Sequence, residues 1–378
     1  MNNPIGPILP EDEQFTHQIT DTFATVASSD PAWTEKVCAM AMARDGSLQI
    51  GFGLGKYTNR NVMDGYGAVS RGVSQWTVRA SRRLAPDPTT TVIGPLRYEV
   101  LEPLRRIRFH LEPNDTQPIA FDWEFEAVVP PFEEERTHNR NEYRVSADLV
   151  RYHQTGVCSG WIELDGERVE MHPDTWVSTR DHSWGVRYDV GTPPTDTEPG
   201  GGIPAGVGFQ MIWCPVLMQR PDGSHYALHL HYVWHAVGGH GRKTVTAQIE
   251  HPDGSSEQIV DIVPHLRFDP GNRRLLGGEL DCRMADGAER PLTVEVLDDT
   301  GVHLGAGLYF GFDGHHHGEW RGDLHVDGEH IADCTTPETA RRLHQIRDTV
   351  VRVIDPVGGA EGWGNCQPIA YGPWPELG

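Results

Sequence analysis

The sequence predicts an all-β protein built from two units, and three observations lead there. Segments of alternating apolar and polar residues recur along the chain, as half-buried strands require. Asp-Gly pairs at 165–166, 222–223, 253–254, 286–287 and 327–328 separate strand-like runs, as hairpin turns do. The chain has 378 residues, about twice the usual domain size. The 42 glycines and 28 prolines are dispersed, which fits many tight turns rather than a disordered tract.

The elements follow in order. Ser47–Phe52 alternates, and Thr91–Ile93 is a short β-branched run. Leu96–Leu101 and Arg106–Leu111 read as an antiparallel pair, and Ile119–Ala127 is the cleanest strand, with Phe121, Trp123 and Phe125 on its inward face. Pro130-Pro131 ends it, and Glu133-Glu134-Glu135 reads as a solvated loop. Gly208–Trp213 and Tyr226–His235 form a second antiparallel pair. A helix is predicted from a Thr336 cap and Pro337 through the apolar stripe Ala340, Leu343, Ile346, Val350 and Val353 or Ile354, stopped by Asp355-Pro356. Gly362–Gln367 reads as a closing strand. The Pro/Gly-rich segment 191–206 is either a linker or a loop over a pocket, and a pocket loop is preferred.

The formal charge of −22 opposes nucleic acid or an anionic membrane surface as partner, because both need concentrated Lys and Arg. No apolar run reaches the ~18–20 residues of a membrane-spanning helix. Met1–Glu11 lacks the basic start and apolar core of a signal peptide. The six cysteines are widely spaced without a C-x-x-C pair, so free thiols and a cytoplasmic location are expected. Homodimerisation is left open.

The densest chemistry is Arg180-Asp181-His182-Ser183-Trp184-Gly185-Val186-Arg187. As a strand it puts Arg180, His182 and Trp184 on one face and Asp181 and Ser183 on the other. An imidazole beside an indole suits proton transfer to an apolar substrate, with the ring stabilising developing positive charge. The alternative is a buried polar network in which Arg180 or Arg187 braces Asp181.

This segment also carries a resemblance. Gly160–Gly166, Trp176 and the Asp-His-x-Trp-Gly motif at 181–185 resemble the central block of the hydroxyneurosporene synthase superfamily. That superfamily includes carotenoid 1,2-hydratases, AttH-like proteins, kievitone hydratase-like enzymes and some lipocalin-like Diels–Alderases. With Leu96–Leu104 ahead of the motif, the chain is similar to an actinobacterial-type branch. The resemblance implies two consecutive lipocalin-like (calycin) barrels with a C-terminal helix, here residues 1–175 and 176–378, the second opening at the motif. It also implies acid–base residues in the motif and on a downstream strand, where His229-Leu230-His231 stands and no Tyr-x-Asp occurs.

On Tyr226–His235 the residues Leu228, Leu230, Tyr232 and Trp234 form the core face. The other face carries His229, His231, Val233 and His235, turned either to solvent or to a polar cavity. His-x-His on a strand also suits a metal, with His229, His231 and His235 as the ligand set. A contiguous run such as His315-His316-His317 does not converge on one point and reads as an exposed or hydrogen-bonded turn; His317–Gly322 reads His-Gly-x-x-x-Gly, which resembles a block of the same superfamily, and that resemblance implies a structural task for His317. Gly51-Phe52-Gly53-Leu54-Gly55-Lys56 lacks a following helix and is not a phosphate loop.

The expected function is a cofactor-independent enzyme acting on a small hydrophobic, terpenoid- or polyketide-like substrate by acid/base chemistry. The reaction would be hydration of a C=C bond, or an isomerisation or cyclisation. Candidate catalytic residues are Asp181, His182, Trp184, His229 and His231; candidate substrate contacts are Arg180, Arg187, Trp213, Trp176 and Trp123. Two alternatives stay open, a non-catalytic lipophile carrier and a metal-dependent cupin-like enzyme.

Overall fold

A computed structural model describes residues 8–372 except 16, 18–19, 142, 193, 199–206, 238–239, 310–311 and 345. The chain is almost entirely β. The first strands are β1 (Trp33–Ala43), β2 (Gln49–Tyr57), β3 (Val62–Arg71), β4 (Ser74–Arg83), β5 (Val92–Ile93), β6 (Leu96–Glu102) and β7 (Arg106–Leu111). They continue with β8 (Ile119–Ala127), β9 (Phe132–Glu133), β10 (Thr137–Asn141), β11 (Arg144–Leu164), β12 (Glu167–Met171) and β13 (Trp176–Val186). Then come β14 (Val207–Gln219), β15 (His225–Val237), β16 (His240–Glu250), β17 (Ser256–Phe268), β18 (Leu275–Met284), β19 (Glu289–His303) and β20 (Leu324–Ile331). The helix α1 (Pro337–Arg342), β21 (Arg347–Asp355) and β22 (Ala360–Tyr371) close the series.

Two sheets result. The first is 14-stranded, with the path β20-β4-β3-β2-β1-β13-β11-β8-β7-β6-β5. It curls until β5 and β6 lie against β3 and β4, without a hydrogen-bonded closure among the described residues. The second is a closed barrel, β14-β15-β16-β17-β18-β19-β21-β22, with β22 pairing back onto β14. All-β architecture is therefore as expected, with one closed barrel and one nearly closed sheet. The units are not strictly consecutive: β20 leaves the second half of the chain to pair with β4. The motif strand β13 lies between β1 and β11 in the first sheet, so it does not open the second unit. The change of sheet comes between Val186 and Val207.

Each unit has its own core. Phe52, Phe109, Phe121, Trp123 and Trp176 fill the first sheet, and Ile212, Leu228, Leu230, Tyr232 and Ile249 fill the barrel. A third cluster joins them: Met40, Met42 and Val177 from the first sheet pack against Leu217, Leu304 and Val350. Each large apolar side chain removed from water contributes about 1.5–3 kcal/mol.

The C-terminal helix is shorter than its pattern suggests. Thr336 caps it as expected, its side chain accepting from the Thr339 amide, but it ends at Arg342 and His344 takes a left-handed φ of 54°. Residues 347–355 are strand instead. The run Thr349-Val350-Val351 with Val353 and Ile354 is β-branched, and such side chains favour the extended backbone.

Gly185 of the motif has a steric reason. Its φ is +132°, and a Cβ there would sit 2.2 Å from the carbonyl oxygen of Asp148 on β11.

Candidate active site

Alternation on β13 divides the motif between two faces, as its sequence requires. Arg180, His182 and Trp184 share the face that meets Tyr152. There His182 Nδ1 lies 3.2 Å from the Tyr152 hydroxyl and Nε2 lies 3.0 Å from Glu35 Oε1. Arg180 is buried, donates to Gln154 and covers the rings of Phe125 and Tyr152. Thr179 and Asp181 turn the opposite way, toward the barrel, where Thr179 Oγ1 meets Asn365 Oδ1 at 2.6 Å.

Between the sheets is a cavity of about 880 Å³. The first sheet supplies Cys38, Met40, Leu149, Arg151 and Asp181 to its wall. The barrel supplies Phe209, Met211 and Trp213 from β14, His231, Val233 and His235 from β15, and Asp348 from β21. Arg180, Arg187, Tyr309, His317, Leu304 and the helix residues Ala340 and Arg341 also line it. On the histidine face of β15, His231, Val233 and His235 thus look into a cavity, while the even face fills the barrel. The segment 191–206, expected over a pocket, lies largely outside the described residues.

A buried ionic network sits on one wall. Glu134, 6% exposed, accepts from Trp213 Nε1 at 2.9 Å, His153 Nδ1 at 3.0 Å and Arg151 Nη1 at 3.2 Å. His231 Nδ1 lies 3.7 Å from the same carboxylate. Burial pushes the Glu134 carboxyl up, but Arg151, the His153 hydrogen bond and His231 override it and hold it well below the usual range. Arg151 also reaches Asp181, 3.5 Å from its Nε. Arg151, and neither Arg180 nor Arg187, is therefore the cation braced against Asp181. The expectation of a solvated Glu133-Glu134-Glu135 loop fails at its central residue, which seals the seam between the sheets. His153 packs against His229 with ring centroids 3.6 Å apart and the planes tilted by 39°, and burial, then His229, pushes it down to about 4.

Two carboxyls face the cavity in unusual states. Asp348 accepts from Asn365 Nδ2 at 2.6 Å and Gln367 Nε2 at 3.3 Å. Burial pushes it up to about 7, and Asp181 adds to the rise against those hydrogen bonds. Burial also raises Asp181, against the pull of Arg151 and Arg187. Burial lowers His231, keeping its imidazole neutral.

Other expected site residues fall elsewhere. Trp123 and Trp176 belong to the first sheet's core and do not line the cavity, because both point inward from their strands. His182 and Trp184 are on the far face of β13. His229 is buried against His153, with Nε2 3.0 Å from Glu250. Among the described residues no three His, Cys, Asp or Glu side chains are arranged to hold a metal ion, so His229, His231 and His235 do not form the ligand set weighed above. In the His315–His317 turn His317 has a structural bond, its Nδ1 2.9 Å from the Tyr57 hydroxyl.

Sequence reasoning missed Glu134, Arg151, His153 and Asp348. Arg151 and His153 carried a usable signal, two polar residues on alternate positions of a long strand. Asp348 was hidden by the helical reading of its segment.

The model of a protein family, a family of unknown function (DUF8625), matches residues 9–378. The chain belongs to that family. No curated protein matches. Among solved structures, the DUF8625 chain is similar to a putative AttH from Nitrosomonas europaea, at 13% identity over 89% of this chain and 92% of that one, with a TM-score of 0.46. Kievitone hydratase from Nectria haematococca matches at 9% identity, 89% and 88% coverage and TM-score 0.43. CghA with Sch210972 matches at 12% identity, 90% and 89% coverage and TM-score 0.47. At these values the likenesses say nothing of this chain's chemistry.

Proposed function

We propose that this protein is a cofactor-independent enzyme that acts on a hydrophobic substrate by acid–base chemistry in the cavity between the sheets. Hydration of a C=C bond is the simplest such reaction, and proton-driven isomerisation or cyclisation is its relative. The observation that carries this reading is the pair Asp181 and Asp348. Two carboxyls face one aromatic-lined cavity, both raised by burial, and Asp181 raises Asp348 further, so Asp348 holds a proton near neutrality.

In this reading Asp348 gives its proton to one alkene carbon, and the π electrons form the new C–H bond. The carbocation left on the other carbon lies among Trp213, Phe209 and Met211, whose polarisable side chains stabilise it. A water oxygen adds to that carbon, and the proton it loses goes to Asp181, held near the reaction by Arg151. For isomerisation the cation loses a neighbouring proton to Asp181 instead. His231, neutral and on the same wall, is a second acceptor. The motif thus contributes Asp181 to the chemistry, whereas His182 and Trp184 support the strand from behind.

The test starts from native mass spectrometry of the purified protein to identify a co-purifying lipophile. That compound is then incubated in D₂O with wild type and with Asp348→Asn. A product heavier by one water, with deuterium on carbon and absent with the variant, supports hydration. Deuterium on carbon without added water supports isomerisation. A lipophile recovered unchanged by wild type makes the protein a carrier and ends the enzymatic reading.

A further inference from the structure

Six lysine and arginine side chains are buried among the described residues: Lys36, Arg79, Arg180, Arg187, Arg290 and Arg347. Arg79, Arg290 and Arg347 each have a carboxylate partner. Lys36, Arg180 and Arg187 have none within ion-pairing distance among the described residues, in a chain with 54 acidic and 32 basic residues. Arg180 is accounted for by Gln154 and two aromatic faces. The other two are not, and they are neighbours. Lys36 is paired in register with Ser183, and Ser183 Oγ accepts from Arg187 Nη2 at 2.6 Å.

Arg187 lines the cavity, is 9% exposed, and its Nε donates to nothing among the described residues. Lys36 stands behind the cavity residue Tyr309, with Nζ 3.8 Å from the ring centroid and no hydrogen-bond partner among the described residues. Of the nearby acids, Asp181 is braced by Arg151, and Asp64, which accepts from the Gly318 amide at 2.6 Å, partly offsets Lys36 without reaching ion-pairing distance. A buried cation without a partner is costly, and two adjacent ones repel each other. Such an arrangement persists where an anion completes it.

We propose that this end of the cavity binds a carboxylate carried by the hydrophobic substrate, with Arg187 receiving its oxygens and Lys36 adding positive potential through Tyr309. The inference rests on reading the cavity as a site for a hydrophobic substrate, and names its class: an amphiphilic carboxylate, charged end at Arg187, apolar body along Phe209, Met211 and Trp213.

The test is isothermal titration of the full-length protein with dodecanoate and with dodecanol. Wild type is expected to bind dodecanoate at least ~10-fold more tightly, as one charge-assisted hydrogen-bonded pair gives. Arg187→Gln should remove that preference while leaving dodecanol binding in place, and Lys36→Met should reduce it. Lys36→Met leaves Arg187 in place, which keeps the test available if Arg187→Gln does not fold. Equal binding of the two ligands by wild type would overturn this inference alone and leave the hydrophobic cavity standing. A preference undiminished in the folded variants would also overturn it. Binding of neither ligand would overturn it together with the reading of the cavity.

Discussion

Trp213 of the barrel donates its indole N–H to Glu134 of the first sheet's margin at 2.9 Å, and the same carboxylate oxygen takes the Nδ1 proton of His153 at 3.0 Å. One acid thus holds both sheets, with Arg151 supplying the opposite charge at 3.2 Å. Glu134→Gln keeps the shape but removes that charge, and should lower stability by about 3–5 kcal/mol at neutral pH, the usual cost of unpairing a buried ion. The folded pKa of Glu134 is depressed, so its stabilisation is full above the unfolded value of about 4.3 and is lost as pH falls through the folded one. Denaturant titrations of both proteins at neutral and acid pH should therefore converge on acidification. A constant difference would remove the ion pair as its cause.

Asp348 has the opposite sign. Its folded pKa is raised to about 7. The stability it lends is full below the unfolded value of about 3.9 and is lost as pH rises toward the folded one. Asp348→Asn, which stays neutral, should therefore exceed wild type in Tm at alkaline pH and lose that advantage in acid. Turnover should fall by about a hundred- to ten-thousand-fold, as removal of a proton donor does, and the alkaline limb of the wild-type rate profile should go with it. A variant that keeps that limb would assign the proton to another group.

The face occupied by His182 gives a contrary expectation for a residue that stands out in the sequence. Its bonds go to Glu35 and Tyr152, away from the cavity, and Glu35 is half exposed. His182→Ala should cost about 0–1 kcal/mol, as loss of a surface pair does, and leave kcat within an order of magnitude. Loss of all turnover in a variant with unchanged Tm would move the chemistry to the other face of β13.

Gly185→Ala should be far more damaging than its size suggests. The substitution meets both a positive φ and the Asp148 carbonyl, so a loss of about 3 kcal/mol is expected, read as a lower midpoint in denaturant. An unaltered midpoint would mean that β11 and β13 can separate locally at no cost.

Much of this was legible in the sequence because strands report their faces by simple alternation. The even residues of Tyr226–His235 fill the barrel as their pattern says, and the odd ones were narrowed to two surroundings. What decides between solvent and cavity is the other sheet, and alternation along one strand contains nothing about it. Glu134 was misread for the same reason. Within three consecutive glutamates nothing local singles out the middle one, and its partners come from 17, 19 and 79 residues away. Asp348 was lost to a different competition, in which an apolar spacing compatible with a helix masked a β-branched run. The motif's two faces were correctly separated, but their distances from the cavity were a matter of tertiary packing.

The strand Leu324–Ile331 is synthesised long after Ser74–Arg83, the strand it covers. A nascent chain therefore carries the first sheet with a bare edge through the synthesis of most of the barrel. Such an edge invites pairing with a neighbouring chain, and in the finished fold β20 covers it. A gene cut between the two sheets leaves a fragment that is sticky rather than self-sufficient, and two truncated copies could exchange the missing strand only in trans. The seam makes the two halves a single unit of inheritance.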